Sequence, residues 1–132
     1  MNWKRVFLLS LFGLVMGLGT VFFISSRVEP YCWLVIFLLS AWSLRAVARP
    51  FLNGLLVGIF NSVWITAAHI LFLHTYLARH PPEAAMVAQA PISPRLLMGI
   101  TGPMIGILSG AIIGVLAWIA SRLLRRPTPT AG

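Results

Sequence analysis

Long uncharged apolar runs, basic residues confined to the links between them, and glycines recurring at every fourth position predict an all-α integral membrane protein. Its expected form is four transmembrane helices in an antiparallel bundle, with a short helix in the outer loop. The chain has 132 residues, 59% hydrophobic and 9% charged. That is too little charge to cover the surface of a water-soluble domain of this length. Val6 to Ser26, Pro30 to Leu44, Pro50 to Ala78 and Leu96 to Ser121 carry no Asp, Glu, Lys or Arg. A spanning helix needs about 20 residues at roughly 1.5 Å rise each. The expected spans are 6–26, 31–48, 51–78 and 96–121, within a single membrane domain, 1–126, followed by a disordered tail, 127–132.

The first span opens on MNWKRVF, a basic start like that of a secretory signal. The uncharged run behind it exceeds the usual signal core of about 7–15 residues, so a retained span is expected. Gly13 and Gly17 place two small residues four apart on it.

The second span reaches full length only if Arg45 lies at a membrane face. Arg45 and Arg49 are four apart, share a helix face and can snorkel to the headgroups. The link at Arg49-Pro50 is so short that spans two and three are expected to be antiparallel neighbours.

Span three is the most polar. Gly54 and Gly58 continue the small-residue spacing, with Ser62 extending it. At about 100° per residue, Ser62, Thr66, His69, Tyr76 and His80 fall within about 40° of one line, with Asn61 and His74 on opposite flanks. Asn61, Ser62, Thr66, His69 and Tyr76 are therefore the candidate polar stripe. Such a face should meet spans one or four, or a cavity, rather than lipid. From Pro50 to His69 is about 28 Å of untilted helix against about 30 Å of hydrocarbon, which puts His69 near the outer edge.

Four prolines break the outer loop, RHPPEAAMVAQAPISPR. Pro82 to Ala90 reads as a short surface helix with Glu83 in its first turn, and Ser93-Pro94 as the N-cap and first residue of span four.

In span four, Gly102, Gly106, Gly110 and Gly114 make three overlapping GxxxG units. Glycine costs a helix about 1 kcal/mol relative to alanine in water. In lipid that loss is offset where a bare spine admits another backbone. The groove would serve packing within the chain or a homo-oligomer. Pro103 cannot hydrogen-bond the carbonyl of residue 99, and is expected to kink the outer third of the helix.

Orientation follows from the basic residues. Lys4, Arg5, Arg45, Arg49, Arg122, Arg125 and Arg126 fall on one side, and Arg27, Arg79 and Arg95 on the other. The excess predicts a multi-pass protein of a bacterial-type inner or plasma membrane with both termini cytoplasmic.

The net charge of +8 does not indicate nucleic acid, because the cations sit at the ends of apolar segments rather than in one patch. The partners expected are the lipid bilayer, with its anionic headgroups, and a second copy or a larger membrane complex. Cys32 is alone, Asp is absent, and the two glutamates read as loop residues. No catalytic set, metal site or cofactor is expected, so the chain reads as non-enzymatic. The leading expectation is a packing or accessory module that associates through its glycine-zipper helices. The alternative is a pore or carrier for a small neutral solute, lined by the polar stripe of span three.

Overall fold

The computed structural model describes residues 1–124; the tail at 127–132, with Arg125 and Arg126, lies outside the described residues. The described residues form six helices and no strand: α1 (Trp3–Phe22), α2 (Glu29–Leu44), α3 (Pro50–Leu71), α4 (Leu73–Arg79), α5 (Pro81–Gln89) and α6 (Pro94–Leu123). Three of them, α1, α3 and α6, are long and apolar enough to cross a membrane. The apolar α2 has 16 residues, about 24 Å of helix.

The helix starts follow local chemistry. The Asn2 side chain accepts from the Arg5 amide at 3.1 Å and caps α1. Pro30, Pro50 and Pro94 stand in the first turns of α2, α3 and α6, where no intrahelical N–H is needed. Ser93 caps α6, accepting from the Leu96 amide at 3.3 Å. Pro103 lies inside α6, which runs on past it to Leu123.

The run expected as one helix over 51–78 is divided. Phe72, at φ −112 and ψ 38, leaves helical geometry, and α4 starts after it. The 22 residues of α3 already reach about 33 Å, so the polar segment beyond is free to turn.

Helix α3 is the centre of the fold. It packs most extensively on α6 and next on α1, while α2 leans chiefly on α6. Helices α2 and α3, joined by a short link, are in contact but pack less extensively. The most extensive packing is between α3 and α6, because their small-residue faces let these two helices approach closely.

Along α3 and α6 the close pairs are Gly54 with Gly114, Gly58 with Gly110, Ser62 with Gly106 and Thr66 with Gly102. Numbers rise on one helix as they fall on the other, so this pair is antiparallel. A Cβ on Gly54 would stand 2.5 Å from the Gly114 Cα. Between α1 and α3 the pairs are Asn2 with Asn53, Gly13 with Asn61 and Thr20 with His69, rising together, so these two run parallel. A Cβ on Gly13 would fall 2.6 Å from the Asn61 Cα, and one on Gly17 would fall 3.0 Å from the Ala68 Cβ.

One end of the molecule is filled by an apolar core of Val6, Ala41, Leu44, Val57, Ile113 and Ala117, drawn from α1, α2, α3 and α6. Asn53, fully buried, ties that end together. Its Nδ2 donates to the carbonyls of Ala48 at 2.9 Å and Arg49 at 3.0 Å, and its Oδ1 accepts from the Asn2 amide at 3.1 Å. This fixes the left-handed turn at Arg49 (φ 56) against the start of α1. The opposite end is less filled, and the candidate site lies there.

Candidate functional site

A cavity of about 490 Å³ opens among α2, α3, α4, α5 and α6. Helix α3 contributes Asn61, Ser62, Ile65, Thr66 and His69, and α4 contributes Tyr76. The predicted polar stripe therefore lines one space. Glu29, Trp33 and Phe37 come from α2, and Glu83, Met86 and Val87 from α5. The start of α6 closes it with Leu97, Met98, Thr101, Gly102, Ile105 and Ser109. Most of the wall is apolar. From Asn61 to His69 the space follows about 12 Å of α3.

The break at Phe72 shapes the outer end. In a straight helix residues seven apart are about 10 Å apart along the axis. Here the rings of His69 and Tyr76 stack with centroids 3.8 Å apart and planes at 19°. Tyr76 then stacks on His80 at 4.3 Å and 26°. His80 is fully buried at the end of this stack.

Hydrogen bonding orients these rings. The Tyr76 carbonyl can only accept, so the His80 Nδ1 at 2.9 Å carries the hydrogen. The His80 Nε2 has no hydrogen-bond partner and lies 3.6 Å from a Glu29 carboxylate oxygen. The other Glu29 oxygen accepts from the Trp33 indole at 3.3 Å. On α3, His69 Nε2 meets the Thr20 hydroxyl at 2.8 Å, and that hydroxyl donates to the Gly17 carbonyl at 3.1 Å. A threonine has one hydrogen, so His69 donates through Nε2 and keeps its Nδ1 lone pair. Glu83 accepts from the Ser26 hydroxyl at 3.1 Å, tying α5 to the α1–α2 link.

Three hydroxyls of the wall bond to their own helices: Ser62 donates to the Ile59 carbonyl at 2.7 Å, Thr101 to that of Leu97 at 2.9 Å, and Ser109 to that of Gly106 at 3.2 Å. They face the cavity as acceptors. Tyr76 keeps its hydrogen, because burial first, and then the Glu29 and Glu83 carboxylates, push its phenol well above the ordinary value.

Asn61, assigned to the flank of the stripe, is buried at 3% exposure, and its Oδ1 accepts from the Gly13 amide at 2.9 Å. Its Nδ2 has no partner. His74, on the other flank, is exposed.

Sequence reasoning missed both glutamates, because they are far apart in the chain and read as loop residues; Glu29 opens α2 and Glu83 stands in the first turn of α5. The available signal was scarcity: these are the only two acids in 132 residues, and both line the same cavity. Among the described residues no group of three His, Cys, Asp or Glu side chains is placed to hold a metal ion. Comparisons with known families, with curated proteins and with solved structures found no match.

Proposed function

We propose that the chain is a four-span membrane protein whose cavity binds a small, largely apolar solute, as a non-enzymatic receptor or carrier. The observation that carries this reading is the convergence of Ser62, Thr66, His69 and Tyr76 on one cavity with mostly apolar walls. Polar side chains inside a membrane mark a path or a site.

The fourth span would be α2. Its exposed Leu34, Val35, Leu38 and Leu39 suit contact with lipid, and Arg45 beyond its end reaches the headgroups. The basic excess on the side of Arg45 and Arg49 supports cytoplasmic termini in a bacterial-type inner or plasma membrane.

The glycine faces favour this reading over a zipper between copies. Gly54, Gly58, Gly106, Gly110 and Gly114 meet backbone or side chains of the same chain, and so do Gly13 and Gly17. That leaves no bare groove there for a second copy.

The test is saturable binding, by protein in nanodiscs of zwitterionic lipid, of either of two related esters: uncharged benzocaine or its cationic relative procaine. Empty nanodiscs give the partition background. Ser109→Phe, which fills the cavity from a half-buried position, should abolish the saturable component without unfolding the protein. Absence of saturable binding for both esters, or binding that Ser109→Phe leaves unchanged, would overturn the reading.

A further inference from the structure

The charge of this chain is distributed against its cavity. Ten Lys and Arg residues stand against two acids. Both acids, Glu29 and Glu83, line the cavity, and among the described residues no Lys or Arg does. In a chain so rich in cations, this cavity is edged by both of its acidic side chains. The three hydroxyls fixed to their own helices add acceptors and no free hydrogen.

Resting on the cavity reading above, we propose that the ligand is a hydrophobic organic cation, a protonated amine on a flat apolar body. Glu83 meets the ammonium together with Glu29. The Ser26 contact uses one Glu83 oxygen. Glu29 is engaged by Trp33 but stands 3.6 Å from His80, longer than an ordinary hydrogen bond, so it is incompletely paired within the chain. Trp33 and Phe37 add aromatic rings to the wall, and aromatic rings attract a cation as well as an apolar body.

The inner end supplies a second, independent requirement. Asn61 lines the cavity there, is 3% exposed, and has an Nδ2 with no hydrogen-bond partner. A buried amide hydrogen without a partner is costly, and an acceptor oxygen on the ligand would satisfy it. The α3 wall from Asn61 to His69 alone runs about 12 Å, so an elongated amine that carries a carbonyl or ether oxygen away from its ammonium suits the two requirements.

Procaine and benzocaine share an aminobenzoate ester, and only procaine carries an ammonium at about pH 7. In nanodiscs of zwitterionic lipid, saturable binding of procaine should be about tenfold or more tighter than that of benzocaine. Glu83→Gln and Glu29→Gln should each weaken procaine severalfold more than benzocaine, bringing the two esters toward the same affinity. Because α5 contributes no buried residue, Glu83→Gln tests the idea without threatening the fold. Equal, saturable binding of the two esters, insensitive to both variants, would overturn the cationic ligand and leave the cavity reading intact. Absence of saturable binding for both would overturn the two together.

Discussion

Gly58 of α3 and Gly110 of α6 meet backbone to backbone, and a Cβ built on Gly58 would collide with the Gly110 Cα and amide nitrogen. A leucine at either position needs the two helices to separate. In water the change would favour the helix by somewhat under 1 kcal/mol. Inside the packed protein, overpacking should cost about 1–3 kcal/mol and reverse the sign. Gly58→Leu and Gly110→Leu are therefore expected to lower thermal stability in detergent. Leu108, on the opposite side of α6 and 64% exposed, is the control, and Leu108→Phe should leave stability unchanged. Glycine variants as stable as the parent would mean that the helices are not held by this approach.

The small-residue spacing was legible because it depends only on helical period. Gly102, Gly106, Gly110 and Gly114 must share a face on any α-helix, and so must Ser62, Thr66 and His69. What those faces meet is not periodic information. Nothing in the spacing distinguished a groove filled by Ser62 and Thr66 of the same chain from one filled by a second copy. The same limit hid Glu29 and Glu83, whose meeting depends on how α2 leans on α6 and where α5 settles. The burial of His80 was equally hidden, because it depends on the turn at Phe72 that brings its ring against Tyr76.

Asn53 gives a prediction that periodicity could not supply. Its amide makes three hydrogen bonds that join the start of α1, the turn before α3 and α3 itself. Truncation leaves the Ala48 carbonyl and the Asn2 amide without these partners. An unsatisfied buried group costs about 1–3 kcal/mol. Asn53→Ala should destabilise the protein by about 2–3 kcal/mol, read as a lower midpoint in thermal unfolding in detergent. Asn53→Asp keeps the acceptor for Asn2 but loses both donations, so it should also destabilise. If both variants unfold with the parent, the cluster contributes nothing to stability.

His69 and His74 make a matched pair on one segment. His69 is buried and bonds Thr20 of α1 at 2.8 Å, while its ring supports Tyr76. His74 is exposed. Leucine at 69 removes the hydrogen bond and one ring of the stack, an expected loss of about 1–2 kcal/mol. Leucine at 74 should cost less than about 0.5 kcal/mol. His69→Leu should also weaken binding in the cavity, since Tyr76 then loses its support. Equal effects at both positions, in stability and in binding, would remove any special role for the stack.

The orientation of the cavity is the last prediction, and it decides which compartment the ligand comes from. Helix α5 and Glu83 lie at one end of the molecule, with Arg27 in the α1–α2 link, Arg79 at the end of α4 and Arg95 at the start of α6. The turn bearing Arg45 and Arg49 joins α2 to α3 at the other end, with Lys4, Arg5 and Arg122 at the ends of α1 and α6. Short loops rich in Lys and Arg stay in the cytoplasm, so the cavity end should face outward. A cysteine at Ala88 in α5 should react with a membrane-impermeant maleimide added to intact cells. A cysteine at Ala46 in the basic turn should react only after permeabilisation. The reverse pattern would place the cavity end inside, with cytoplasmic amines as the ligands to test. Labelling of both positions in intact cells would contradict an α2 that crosses the bilayer, and the four-span arrangement with it.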